Sequence, residues 1–107
     1  MTIPYPNLKP VRVDLQLDAV DSCGLPVGDM AASSARPMAL SLKGEPFWYG
    51  FVINDEFIDV VQPGTLVSCT ISFINHDGAK EAFCSGASVL FGDGASTKGV
   101  IRIVRLD

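Results

Sequence analysis

Every second residue from 11 to 17 is apolar: Val11, Val13, Leu15 and Leu17 alternate with Arg12, Asp14 and Gln16, and Asp18 and Ala19 carry the pattern two residues further. Successive side chains of an extended chain point to opposite faces, so a period of two gives one greasy face and one wet face. A helix would spread the same four apolar residues around its circumference. This segment is committed to a strand laid over a hydrophobic interior, and the rest of the chain must complete that interior.

The signal recurs. Residues 65–75 hold its clearest copy, with Val67, Cys69, Ile71 and Phe73 inward and Ser68, Thr70 and Ser72 outward. Met38, Leu40 and Leu42 oppose Ala39, Ser41 and Lys43, and Ala87, Val89 and Phe91 alternate with Ser88 and Leu90. Residues 47–53 are apolar on both faces, Phe47, Tyr49, Phe51 and Ile53 on one and Trp48, Gly50 and Val52 on the other. Residues 57–61 form a brief strand, and Gly99 to Leu106 form a strong last one.

Turn chemistry separates these runs. Gly44-Glu45 before Pro46 turns the chain, Gln62-Pro63-Gly64 has the type II pattern, and Gly92-Asp93-Gly94 breaks the strand before it. Asn75-His76-Asp77-Gly78 ends in a dipeptide that predicts a hairpin turn. Residues 20–35, rich in Asp, Ser, Gly and Ala, predict a long loop, and residues 79–85 a weak strand or loose loop. The first ten residues, with Pro4, Pro6 and Pro10, predict an extended arm. Residues 11–107 are then a single all-β domain of six or seven mostly antiparallel strands and no helix. Such strands are best closed as a small, closed or partly open Greek-key barrel, which also removes exposed sheet edges.

Composition narrows the function. Eight basic residues are scattered among twelve acidic ones, for a net charge of −4. Counterion release from nucleic acid needs several cations on one surface, so nucleic acid is an unlikely partner. With three widely spaced cysteines, Cys23, Cys69 and Cys84, the chain is no disulfide scaffold, and a reducing, cytoplasmic setting is expected. The first residues lack the basic and apolar regions of a signal peptide, and the run 47–53 is too short to span a bilayer as a helix.

No group of residues announces chemistry. His76, the only histidine, is placed in a turn, and its neighbour Asp77 points away from it. The cysteines and His76 lack the close ligand pairs of a zinc site. Residues 92–99 are glycine-rich but no helix follows to make a phosphate cradle. No metal or cofactor is expected. The aromatic strand is the best candidate surface: a barrel buries one face of a strand, which leaves Trp48 and Val52 outside as interface anchors. The plain alternative is that the 20–35 segment folds over Trp48.

Arg36-Pro37 before a strand, Pro63-Gly64 opening a long central strand, Asp93-Gly94 in a late turn and Gly99-Val100-Ile101 opening the last strand follow one another in a familiar order. Together with the strand at 11–17 they make the chain, over residues 11–106, resemble the C-terminal β-barrel domain of translation elongation factor Tu and related GTPases. The resemblance implies a barrel and a docking role, with Arg36 and Asp93 at partner-binding positions. It implies no GTP hydrolysis, since no Gly-x-x-x-x-Gly-Lys-Ser/Thr loop is present. The family's arginine before the late glycine turn has no counterpart in Leu90-Phe91-Gly92-Asp93-Gly94, so tRNA contact is not carried over.

The expectation is a non-catalytic protein-binding module, an adaptor, inhibitor or immunity-type protein, with Trp48, Val52, Arg36 and Asp93 as its contact residues. Three other classes stay open: a small enzyme with a loop site around residues 76–84, where His76 and Cys84 would converge, a protein that self-assembles through barrel surfaces, and a carbohydrate or small-ligand binder through Trp48 and Tyr49, which point to opposite sides of their strand.

Overall fold

The computed structural model describes residues 3–107. Its strands, in chain order, are β1 (Val11–Leu17), β2 (Met30–Ala31), β3 (Met38–Ser41), β4 (Phe47–Ile53), β5 (Val60–Val61), β6 (Leu66–Phe73), β7 (Ser88–Gly92) and β8 (Thr97–Arg105), with one helix, α1 (His76–Ala82), between β6 and β7. Six strands close an antiparallel barrel in the order β1-β6-β4-β3-β7-β8, and β2 pairs with β5 as a separate two-stranded sheet. The all-β barrel read from the alternation is the architecture observed.

β1 sits between the two longest partners. It pairs with β6 from Val11↔Ile71 to Gln16↔Leu66 and with β8 from Arg12↔Arg105 to Leu17↔Gly99. Val11, Val13, Leu15 and Leu17 are buried, as the period of two requires. They meet Cys69, Ile71, Ile101 and Ile103 in one core. Phe51 forms edge-to-face pairs with Phe73 and Phe91 at centroid distances of 5.9 and 5.8 Å, and Phe83 stacks on Phe73 at 5.7 Å. Such aromatic pairs add about 0.5–1.5 kcal/mol beyond burial. Close approach fixes Gly99, where a Cβ would lie 2.3 Å from the Gln16 carbonyl oxygen and 2.7 Å from the Phe91 ring.

The sequence signal fails at α1. Residues 75–78 do not make a hairpin turn; Asn75 caps a helix instead, its side chain accepting from the Gly78 amide at 3.0 Å. Gly78 does not adopt a positive φ, which the expected turn requires. Its lack of a side chain serves packing, because a Cβ there would lie 2.5 Å from the Asn75 side chain and 3.1 Å from the Tyr49 ring. The helix buries only Ala79, too little apolar surface to leave a helical period in the sequence. The type II reading at Gln62-Pro63-Gly64 holds, with Gly64 at φ +83° and the Thr65 amide bonded to the Gln62 carbonyl.

The long segment between β1 and β3 does not float. Val27 and Met30 pack on the core, Ala32 is buried, and the segment bonds to Ala19, Thr97 and Asp59. It closes the mouth of the barrel where Leu17, Gly92 and Thr97 end or begin their strands. α1 and Phe83 close the other mouth. The proline-rich arm is tied down too: Asn54 accepts from the Tyr5 amide at 2.8 Å and donates to the Tyr5 carbonyl at 3.0 Å and to the Ser72 hydroxyl at 2.8 Å.

Candidate functional site: the β3–β7 seam

The four residues expected on the binding surface do not form one site. Val52 is a correction: it points away from the interior, yet it is only 2% exposed. It pairs with Ser72, whose hydroxyl joins the Asn54 clasp that holds Tyr5, so the arm lies on the face where Val52 sits. Trp48 remains half-buried on the outer face, opposite Leu40 of β3. The 20–35 segment is spent at the Leu17 mouth rather than over Trp48. Of the inward aromatic set, Phe51 and Ile53 are buried, Tyr49 lines the α1 mouth against Phe83, and Phe47 lies largely outside.

β3 is the unexpected element. Its alternation is as regular as that of β1, but its small residues face inward: Ala39 and Ser41 are buried, Leu40 is half-buried and Leu42, just past the strand, is 68% exposed. The interior explains the inversion. Ala39 pairs with Phe91 on one side and Tyr49 on the other, and those rings, with Phe51 and Phe83, already occupy the space a leucine would need. The outer face of the barrel here carries Trp48, Leu40, Leu42 and the exposed Leu90.

The same place is where the barrel is least closed. The β3–β7 ladder consists of Met38↔Gly92 and Ala39↔Phe91 and goes no further. A bulge at Phe91/Gly92 adds a bend to β7 where this ladder begins. Beyond it the strands part around a cleft of about 300 Å³ lined by Leu40, Leu42, Phe83, Val89 and Leu90, with Cys84 at its edge. The direction of the backbone groups follows from the neighbouring ladders. Phe51 donates to the Pro37 carbonyl and Ile103 to the Ala87 carbonyl. Hydrogen-bonded and non-bonded pairs alternate, so Leu40 of β3 and Ser88 and Leu90 of β7 turn their N–H and C=O groups toward the seam. The Ala39↔Phe91 pair is the non-bonded kind, so a bond from the Leu40 amide to the Leu90 carbonyl flanks it and ends the ladder; the Leu40 carbonyl and the Leu90 and Ser88 amides face the seam beyond it.

Arg36 and Asp93 lie elsewhere, across a second cleft of about 420 Å³ whose floor includes Leu17, Pro37 and Phe91. Asp93 is held by the turn it makes: its carboxylate accepts from the Ser96 and Ala95 amides, which with the Lys98 ammonium 3.7 Å away lower its pKa. Lys98 also reaches Asp21 at 3.9 Å, whose carboxyl is lowered mainly by the Leu25 and Cys23 amides. The Arg36 guanidinium donates to the Ala35 carbonyl, and among the described residues it has no carboxylate partner.

The groups considered for chemistry stay apart. His76 begins α1 and its Nε2 lies 2.6 Å from the Asp107 backbone oxygen, whereas Cys84 follows the helix at the edge of the seam cleft, which His76 does not line. Cys69 is buried in the core, and that burial pushes its thiol up to about 12. Among the described residues no three His, Cys, Asp or Glu side chains are grouped to hold a metal ion, and no helix is long and apolar enough to cross a membrane. The sequence contained the signal for the seam, since Leu90 alternates outward between Val89 and Phe91; the inversion of β3 needed the positions of the rings. No family model matches the chain, and no curated protein matches it.

Proposed function

We propose that the domain is a non-catalytic protein-recognition module, an adaptor or an inhibitor, that takes an extended segment of its partner into the β3–β7 seam. One observation carries this reading: a barrel that is closed elsewhere leaves the Leu40 carbonyl and the Ser88 and Leu90 amides facing a gap, and lines that gap with outward leucines. Unpaired strand edges are templates for another strand, whose main chain supplies affinity and whose alternate side chains supply specificity. Leu42 and Leu90 lie where those side chains would land. Full burial of one such leucine is worth about 1.5–3 kcal/mol. Trp48, next to Leu40, extends the contact as a rigid aromatic edge. The resemblance to the translation-factor barrel supports the same docking role without nucleotide chemistry.

Selection from a displayed random-peptide library tests the reading. Seam-dependent peptides should be extended, with apolar residues at alternate positions. They should shift the amide resonances of Leu40, Ser88 and Leu90. The Leu42→Asp/Leu90→Asp variant should lose at least tenfold in affinity while its thermal melt stays within a few degrees. Selected peptides that ignore this variant would refute the seam as the site. A second reading places the contact at the other cleft, favoured by the meeting of Arg36 and Asp93 across it; Arg36→Glu would then abolish binding that the leucine variant leaves intact.

A further inference from the structure

A further groove shares no lining residue with the seam and borders the Arg36 cleft at Ala31. It runs between the N-terminal arm, the end of β2 and the loop from β4 to β5, and has a volume of about 550 Å³. Its floor is apolar: Ile53 and Ala32 are buried there, and Ile58 packs on the core. Tyr5 closes one side, held by the Asn54 clasp, and Val60 stands 51% exposed at the rim. Asp55, Glu56 and Asp59 line the groove, and among the described residues no lysine, arginine or histidine does.

The three carboxylates differ in what they already do. Asp55 is committed to the fold, accepting from the Phe57 and Thr70 amides at 3.0 Å each. Glu56 and Asp59 are exposed, and neither belongs to any ion pair among the described residues. An apolar trough with free anionic charge along its edge suits one kind of side chain, a long aliphatic stem ending in a cation.

We infer that this groove docks a lysine- or arginine-bearing segment of a protein partner, with the stems on Ile53, Ile58 and Val60 and the charged ends at Glu56 and Asp59. Charge complementarity selects the occupant, since the groove repels a phosphate backbone and offers nothing to an acidic peptide. The inference goes beyond the seam reading. The two clefts share no lining residue, so each can fail without the other.

The probe is a fluorescein-labelled nonapeptide of alternating leucine and lysine, titrated with the full chain carrying Leu42→Asp/Leu90→Asp so that the seam does not capture it, and read by anisotropy; that chain is the parent for every variant below. The same peptide with glutamate in place of lysine is the control. The lysine peptide should bind and the glutamate peptide should not, and raising salt from 50 to 500 mM should weaken binding about tenfold. The Glu56→Gln/Asp59→Asn variant, which removes no hydrogen bond of the fold, should lose about tenfold with an unchanged melt. Val60→Asp should lose affinity even though it adds negative charge, because the trough loses apolar surface. Asp14→Asn, on the outer face of β1, should bind as the parent does. The proposal is overturned if the Glu56/Asp59 variant binds as tightly as the parent, if Asp14→Asn weakens binding equally, or if spermine at matched charge displaces the peptide completely, which would make the groove a site for small polycations.

Discussion

β1 and β3 carry the same alternating pattern and put it to opposite use. In β1 the apolar residues point in, and the outer face is polar and bonded: Asp14 accepts from the Ser68 hydroxyl and faces Arg102 at 3.5 Å. In β3 the leucines point out and Ala39 and Ser41 fill the inside. β1 is also flanked by two long ladders, whereas β3 meets β7 in a ladder of only Met38↔Gly92 and Ala39↔Phe91. Alternation therefore fixes that a segment is a strand with two unlike faces, but not which face is inside. That choice depends on the volume left by neighbouring strands, and near β3 the rings of Tyr49, Phe51 and Phe91 have taken it. A barrel that keeps leucines outside beside an open ladder has an exposed apolar edge, which is rare without an interaction to use it.

The comparison breaks first if equal truncations cost equal stability. Leu15→Ala in β1 empties a fully buried position and should cost about 3–5 kcal/mol, read as a fall in Tm of more than about 10 °C. Leu42→Ala, at an exposed position, should change stability by less than about 0.5 kcal/mol. Similar losses from the two would place Leu42 in a core and remove the argument for the seam.

The inversion itself is probed by Ala39→Leu. If the rings around Ala39 leave no room, overpacking should cost about 1–3 kcal/mol in a urea melt, while Leu40→Ser next to it on the outer face costs less. A stabilising Ala39→Leu would show that the interior has space and that β3 could equally have faced the other way.

The smallest effect concerns the wet face of β1. The Ser68 hydroxyl, and then Arg102, hold the Asp14 carboxyl below its ordinary value of 3.8. A carboxyl lowered in the folded state stabilises it above the unfolded pKa, and that contribution is lost as pH falls through the folded one. The melt of the parent should therefore drop more between pH 5 and pH 2.5 than that of Asp14→Asn. Identical acid slopes would mean that the Ser68 and Arg102 contacts do not bias the ionisation.

Much of the fold was legible because strands and turns depend on local signals. The period at 11–17 and 65–73, and Pro63-Gly64, each specify their own geometry. α1 was not legible: Asn75 and Gly78 serve a cap and a close approach to Tyr49, and both residues also suit a hairpin. The docking surfaces were legible only in part. Trp48 stayed on the outside, but Val52 disappeared under an arm whose position rests on Asn54, a single long-range clasp with no local signature. Arg36 and Asp93 lie fifty-seven positions apart in sequence and meet at one cleft only because β3 and β7 are neighbours in the barrel.

Native-state hydrogen exchange at single amides tests the open seam most directly. Protection of Leu15 and Ile101, inside long ladders, should approach that of global unfolding, while Ser88 and Leu90 should exchange at least about a hundredfold faster. Equal protection at all four amides would mean that β3 and β7 are joined along their length, and no edge would remain for a partner strand.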